Sequence, residues 1–358
     1  WDVEVRDNVV DPADPAPPAL ANRPLYVSEG SDFDTGTANV TRNLTAETGW
    51  GGASFTSARA SAPFAIMDSI YTAIQFNLAV DPDIVYPPMD VFWSVNNTTQ
   101  VTNFDIDTGE LGSSFYAGSL DSLFIVGDAT DDADEFDTHV VVHEYGHFFD
   151  DNFLRTESPG GTHFLGDKLD ARLAFNEGWP TAFAGMALNE DLYCDTGVPG
   201  TSSGFGINAE GGAFGGQGWY DEISVVRFIY DLWDTNSEGT DTGSIGHQPI
   251  YDAFVGPWRF SEALGTVFSF AAVLRPTLDP AGQALLDAQL GDEQIDAAVL
   301  NIWGDNEIND GNPPTGLDVN PIYTDYVANG STLNICSNDQ FDSRGDGNKL
   351  SQDRYLRI

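Results

Sequence analysis

The stretch that most constrains this chain is DTHVVVHEYGHFFDD at residues 137–151. It places two of the chain's five histidines, His143 and His147, four residues apart, with Glu144 directly after the first. On an α-helix, residues four apart lie on the same face, so both imidazoles can point at one position. In a His-Glu-x-x-His helix, two imidazoles hold Zn²⁺ and the glutamate acts on a water molecule. The pattern therefore predicts a helix that begins near Asp137 and carries a zinc site.

A third zinc ligand is expected downstream, because a catalytic zinc ion usually takes three protein ligands and leaves one position for water. Glu177, in FNEGWP, is the predicted ligand. It is separated from His147 by 29 residues and opens a predicted helix over 175–188, whose apolar residues would anchor it in the core. Pro180 is expected to be tolerated in that helix only if it lies in the first turn. Five nearer acidic residues remain alternatives: Asp150, Asp151, Glu157, Asp167 and Asp170.

The net charge excludes some partners. The chain has 56 acidic and 14 basic residues, a formal net charge of −42. Such a surface repels phosphate groups, so nucleic acid and anionic membranes are not expected as partners. No apolar run reaches the roughly 20 residues that span a bilayer, so no membrane span is predicted. High salt would screen the self-repulsion, and we therefore expect a marine or halophilic source.

The ends of the chain and its cysteines bear on localisation. The chain begins at Trp1 with neither a methionine nor a signal peptide, as expected of a processed secreted protein and equally of a trimmed one. Cys194 and Cys336 are candidates for one disulfide, and two buried thiols are the alternative. The prediction is a secreted protein, with the periplasm or cell surface as further options. The oligomeric state is not predicted.

Two acidic segments are candidates for calcium binding. GDATDDADEFD at 127–137 and GDNEINDGNPPTGLDVN at 304–320 offer clustered oxygen ligands and glycines that turn the backbone. Neither has the EF-hand spacing, and similar loops also occur on the ordinary surface of an acidic protein. The predicted ligands are Asp128, Asp131, Asp132 and Asp134.

The pattern along the chain predicts a mixed α+β fold. Residues 1–60 are rich in Asp, Pro, Gly and Thr and are expected to form loops and short strands around the main body. Residues 61–358 are predicted to form one catalytic domain with a sheet and the zinc helix (61–160), a helical part (161–310) and a loop-rich tail (311–358). Helices are predicted at 61–80, 221–233, 261–274, 280–290 and 292–303. Strands are predicted at 91–95, 113–118 and 122–128 and in the final RYLRI.

These motifs resemble a known class of enzyme. HEYGH followed by NEGW resembles the glutamate-zincin metallopeptidases, and the Glu-Gly-Trp sequence is similar to that of the fungalysin family. SSFYAGSLDSLFIVGD before the zinc helix is similar to the thermolysin arrangement of an edge strand, a second strand, an acidic calcium loop and the zinc helix. The matching stretch covers about residues 111–190, less than a quarter of the chain. The resemblance implies a zincin-like fold.

The resemblance also implies roles for individual residues. His143, His147 and Glu177 would be the zinc ligands, and Glu144 would be the general base. An edge strand would bind an extended peptide through backbone hydrogen bonds. The residues of that strand would be Ser113, Ser114, Phe115, Tyr116 and Ala117.

The sequence departs from these families at Thr181, where they carry an aspartate that orients a zinc histidine. Asp150 or a backbone carbonyl is the expected substitute. His139 lies one turn before His143, which is too far along the helix to share a tetrahedral zinc easily, so it is expected to line the cleft or to be buried.

A donor to the oxyanion of the transition state is also needed. Tyr220 is the first candidate, because glycines precede it and a helix begins there. Its alternative role is an aromatic residue packed at the start of a helix. His163 is the second candidate, and His247 and Arg227 are further ones.

Taken together, the sequence predicts a secreted zinc endopeptidase that acts on extended polypeptides. One alternative keeps the metal but narrows the reaction to that of a processing peptidase or an aminopeptidase. The other is a non-enzymatic, calcium-stabilised surface or binding module with a structural zinc ion. Glu144 argues against the second alternative, because a structural site has no need of that residue.

Overall fold

The fold is mixed α+β. A computed structural model of the chain describes residues 1–11, 13–14, 16–211, 216–236, 242–295, 301–305, 322–327, 330, 332–334, 348–350 and 352–358. Within these ranges it has seven α-helices and three small sheets. Cys336, most of the acidic segment 304–320 and the middle of the predicted helix 292–303 lie outside the described residues.

The main sheet has four strands. They are β1 (Val3–Arg6), β2 (Met89–Trp93), β3 (Phe115–Ala117) and β4 (Ser122–Ile125), in the order β1-β2-β4-β3. Strands β1, β2 and β4 run parallel to one another, and β3 pairs antiparallel with β4. The central strand β4 is buried throughout, as its apolar sequence requires. The short strand β3 lies at an edge of the sheet, as predicted.

Two helices lie before and after strands β2, β3 and β4 in the sequence. Helix α1 (Ala62–Leu78) buries Ile66, Ile70 and Ile74, which recur at helical spacing. Helix α2 (Thr138–Phe153) begins directly after Asp137. The predicted helix at 61–80 and the predicted start of the zinc helix are therefore both confirmed.

Helix α3 (Ala171–Leu188) begins four residues earlier than predicted. The Asp170 side chain caps it by accepting a hydrogen bond from the backbone N–H of Arg172 at 3.0 Å. Pro180 therefore lies in the interior of the helix and not in its first turn, so that expectation was wrong. Proline cannot donate to the carbonyl of Asn176, but the surrounding residues 178–186 are all buried, and their packing offsets the lost hydrogen bond.

The remaining helices follow their local signals. Helix α4 (Glu222–Trp233) matches its prediction to within one residue and is capped by Asp221. Helix α6 (Val267–Leu274) starts later than the predicted residue 261, because Thr266 and Ser269 form a capping box there. Helix α7 spans Pro280–Asp292. Helix α5 (His247–Ala253) and the π-helical turn Phe254–Trp258 were not predicted.

Two small sheets complete the described structure. Strand β5 (Leu192–Thr196), which contains Cys194, pairs with β6 (Gly204–Asn208). Strand β7 (Tyr323–Asp325) pairs in parallel with β8 (Tyr355–Arg357), and β8 confirms the predicted C-terminal strand. None of the described helices combines the length and apolar character needed to cross a bilayer.

The chain divides into two compact units. The first comprises Trp1–Leu78, Asp83–Phe148 and Cys194–Gly206, and the second comprises Ala79–Pro82, Phe149–Tyr193 and Ile207–Ile358. The first unit holds the main sheet and α1. The second unit has an aromatic core in which the rings of Phe254 and Phe270 stack with centroids 4.2 Å apart. The predicted domain boundary near residue 60 stays a prediction.

Candidate metal centre

His143 and His147 converge on one face of α2. Their Nε2 atoms lie 3.1 Å apart, and their rings are inclined at 82°. Two nitrogens bound to one tetrahedral zinc ion at about 2.0–2.1 Å would lie roughly 3.3 Å apart. Glu144 follows His143 on the same helix and is only 8% exposed. The pair therefore has the spacing of two ligands of one small cation, with a buried carboxylate beside it.

Contacts between α2 and α3 fix the position of Glu177. The rings of Phe149 and Phe183 stack with centroids 6.2 Å apart. Asn176 Nδ2 donates to Asp150 Oδ2 at 3.0 Å. One ligand atom from each of His143, His147 and Glu177 lies within 4.8 Å of the other two.

The alternative third ligands have other roles. Asp170 caps α3, and Asp167 Oδ2 pairs with Lys349 Nζ at 3.2 Å. Glu157 pairs with Arg155 and accepts from the Gly265 N–H at 2.6 Å. Asp150 is bonded to Asn176 and therefore supports the residue next to Glu177. Asp151 is exposed on α2.

Gly178 allows a second carboxylate, that of Glu222, to come close to the surroundings of Glu177. A Cβ atom at Gly178 would lie 2.6 Å from the carbonyl oxygen of Glu222 and 2.6 Å from Val225 Cβ, closer than real contacts allow. Glycine at this position therefore permits α4 to pack directly against α3. The close approach gives the Glu-Gly-Trp sequence a packing role beside its chemical one.

His163 lies next to both glutamates. Its Nε2 atom is 3.6 Å from Glu222 Oε2 and 3.8 Å from Glu177 Oε2, and its Nδ1 atom is 3.1 Å from the Gly161 carbonyl oxygen. Burial raises the pKa of Glu222 to about 7, while His163 lowers it and Glu177 raises it. Glu222 was missed in the sequence, where it appears as an ordinary first-turn acid of α4 after the cap Asp221.

The other oxyanion candidates are placed differently. The Tyr220 hydroxyl donates to the Gln217 carbonyl at 3.2 Å, and Lys168 Nζ lies 5.1 Å from the ring centre. This environment fits its alternative role as an aromatic residue packed at the start of a helix. Arg227 forms a two-pronged ion pair with Glu293 at 2.7 Å.

Three further predicted residues are located by the structure. His247 begins α5, with its ring 5.8 Å from that of Tyr251. His139 is 6% exposed in the first turn of α2, in agreement with a buried role. Thr181 is also buried.

The predicted substrate strand is shorter than expected. It covers Phe115–Ala117, and Ser113 and Ser114 lie outside it. The Ser114 hydroxyl accepts from the Val126 N–H at 2.9 Å and donates to Asp134, which holds the chain in another path. Tyr116 donates its hydroxyl to Asp121 at 2.9 Å.

A second cluster of metal-type ligands lies in the first unit. Carboxylate atoms of Asp132, Asp134 and Asp195 all lie within 4.8 Å of one another. Asp134 is 3% exposed, and its Oδ1 atom has no hydrogen-bond partner among the described residues. Burial, and then the charges of Asp132 and Asp137, raises the pKa of Asp195 to about 7. Three carboxylates at this distance, one of them buried and two half-buried, repel one another unless a cation or protons neutralise them.

Two of the four predicted calcium ligands are in this cluster and two are not. Asp131 accepts hydrogen bonds from Thr98, Thr99 and Gln100. Asp128 accepts from the backbone and hydroxyl of Thr130. Asp195 was missed, because it lies on β5, 58 residues beyond the end of the acidic segment at Asp137.

The three converging ligand residues form a site of metal-binding type within a mixed α+β fold. The family model of the Mycolysin C-terminal domain matches residues 92–285, more than half of the chain, and the chain belongs to this family. The family is associated with peptidases. A search of curated proteins gave no match.

Proposed function

We propose that this protein is a secreted, zinc-dependent endopeptidase that cleaves extended polypeptides. The observation that carries the proposal is the convergence of His143, His147 and Glu177 within 4.8 Å, with Glu144 buried beside them. Two imidazoles and one carboxylate are a usual ligand set of hydrolytic zinc, in which a fourth position stays open. Membership of a peptidase-associated family supports the same reaction class.

The roles of the chain's own residues follow from their positions. Zinc would polarise the peptide carbonyl and lower the pKa of the attacking water. Glu144 takes the proton of that water and passes it to the leaving nitrogen. The Nδ1–H of His163 donates to the Gly161 carbonyl, which leaves the Nε2 atom directed at the two glutamates. Nε2 carries a proton as well only in the imidazolium form, and in that form His163, beside Glu177, would donate a hydrogen bond to the substrate carbonyl oxygen as negative charge develops on it.

The edge strand β3 gives the proposal a substrate-binding element. Its outer side has no neighbouring strand in the four-stranded sheet. An extended peptide can pair with such an edge through backbone hydrogen bonds, largely regardless of its sequence. This mode of binding favours an endopeptidase.

One observation favours a second candidate, an aminopeptidase. Glu222 places a further buried carboxylate near Glu177, and an acidic group near the metal is what captures a free amino terminus. Matched peptides with free and acetylated amino termini separate the two activities. Equal cleavage of both supports the endopeptidase, and cleavage of the free peptides alone supports the aminopeptidase.

Metal analysis together with a cleavage assay tests the proposed function. We expect one zinc per chain by mass spectrometry, hydrolysis of casein or a labelled peptide, loss of hydrolysis with a chelator and recovery on adding zinc. Zinc without hydrolysis would argue against the endopeptidase. Absence of zinc after careful reloading would contradict the proposed metal site itself.

We also propose a calcium ion at Asp132, Asp134 and Asp195. Calcium takes carboxylate oxygens, and the buried, unpartnered Oδ1 atom of Asp134 needs a positive partner. The carboxylate of Asp137 adds to the local negative charge and accepts from the Thr196 backbone N–H at 2.9 Å. The cation would tie strand β5 to the segment before α2.

Calcium is therefore expected to raise the melting temperature of the wild type. At calcium concentrations about 100 times the dissociation constant, the gain in unfolding free energy is about 2.7 kcal/mol. The variant Asp195→Asn should lose most of this gain, because it removes one charged ligand. Asp128→Asn is the matched control, since Asp128 lies outside the cluster. Calorimetric scans with and without calcium measure the shift in melting temperature. Equal shifts in all three proteins would contradict the proposed calcium site.

A further inference from the structure

Lys349 is an unusual residue in this chain. It is one of two lysines among 56 acidic residues, and it is only 1% exposed. Its Nζ atom donates to the Thr162 carbonyl oxygen at 3.0 Å and pairs with Asp167 Oδ2 at 3.2 Å. A buried ammonium group is costly unless it is paired and hydrogen-bonded, and both conditions are met here.

The two contacts of Lys349 lie on either side of His163. The Thr162 carbonyl, which belongs to the peptide group leading into His163, also accepts from Asn348 Nδ2 at 2.7 Å. Asp167 Oδ2 also accepts from the backbone N–H of Phe164 at 3.0 Å. The peptide groups before and after His163 are therefore both bound to one ammonium group, the first directly and the second through Asp167.

The backbone around Lys349 is docked on the same loop. Leu350 N–H donates to the Lys168 carbonyl at 3.0 Å, and Asp170 N–H donates to the Asn348 carbonyl at 3.1 Å. A Cβ atom at Gly161, where φ is +100°, would lie 2.9 Å from Asn348 Nδ2. Segment 348–350 thus fits closely against a loop that has no helix or strand of its own between Leu154 and Asp170.

We propose that Lys349 is a positioning residue for His163, so that segment 348–350 completes the proposed active site. The inference rests on the proposed function, because His163 needs a fixed place beside Glu177 only if it acts in the reaction. A loop with glycines at 160, 161 and 166 does not hold an imidazole in place by itself. The ammonium group holds it by fixing the peptide groups on both sides.

A double-mutant cycle tests this role. Lys349→Met keeps the length of the side chain but removes the charge and the donors. It is expected to lower kcat by about 10- to 100-fold, the cost of misplacing a reacting group by about 1 Å, while KM and zinc content stay within about twofold. In a His163→Ala background, Lys349→Met should change kcat by less than about twofold, because the residue it positions is gone. Multiplicative effects of the two substitutions would overturn the proposal.

A matched control separates positioning from stability. Arg23 is also a buried cation bound to one backbone carbonyl, that of Asn8 at 3.0 Å, and to one carboxylate, Asp107 Oδ1 at 2.7 Å. Arg23→Met is expected to lower the melting temperature but to leave kcat unchanged. If Lys349→Met does not fold, Asp167→Asn supplies the same test, since it weakens the link to the Phe164 side of His163.

A spectroscopic readout distinguishes failure of this inference from failure of the proposed function. With ¹⁵N-labelled histidine, the ring signals of His163 are expected to be sharp in the wild type and broadened or shifted in Lys349→Met, with the other four histidines unchanged. Unchanged His163 signals would refute the positioning role. Changed signals in a protein that cleaves no peptide would uphold the positioning and refute the peptidase.

Discussion

Replacing Glu144 with glutamine is expected to lower kcat for peptide hydrolysis by about 10²- to 10⁴-fold while zinc stays bound. Glutamine has nearly the same shape but cannot accept the proton of the attacking water. Glu144 is not among the three converging ligand residues, so its replacement should leave the metal in place. The measurement is kcat on a labelled peptide together with zinc content for the same preparation.

The control for this substitution is Glu29→Gln, which makes the same chemical change at an exposed position of the first unit. It should leave kcat, zinc content and melting temperature as in the wild type. Unchanged hydrolysis in Glu144→Gln would show that another residue is the base. Loss of zinc in that variant would mean that Glu144 is itself a ligand.

The parts of the site that sequence predicts are those set by local chemistry. Any α-helix places residues four apart on the same face, whatever surrounds the helix. The spacing of His143 and His147 is therefore enough to predict that their side chains point the same way. Glu177 could be chosen because it stands within an apolar helical segment, and apolar helices are fixed by their buried face. The edge position of β3 is implied by the resemblance to the thermolysin arrangement, and the sheet order agrees with it.

The parts that sequence does not predict depend on packing between distant segments. Glu222 is 45 residues beyond Glu177 and reaches this region only because Gly178 lets α4 approach. Lys349 is further still along the chain, and nothing in GDGNKL indicates that its ammonium group is buried. Asp195 joins the acidic cluster through β5. The later start of α6 and the shorter β3 reflect hydroxyl contacts, those of the Thr266–Ser269 capping box and of Ser114.

The second large effect is expected on zinc binding when Glu177, one of the two glutamates beside His163, is replaced. Glu177→Gln should weaken zinc binding by more than about 100-fold, because it replaces a charged ligand with a neutral one. Glu222→Gln should weaken zinc binding by at most about 100-fold. A loss of about 10- to 100-fold is usual for a residue that supports a metal site without binding the metal. Competition with a chromogenic chelator measures both dissociation constants.

This pair of variants is informative because the two carboxylates have similar surroundings. Both side chains are mainly buried, and both lie within 4 Å of His163 Nε2. They differ in geometry, since Glu177 shares the 4.8 Å cluster with His143 and His147 and Glu222 does not. A larger loss of zinc affinity in Glu222→Gln than in Glu177→Gln would therefore reverse the assignment of the third ligand. Equal and small losses would mean that neither glutamate is the third ligand.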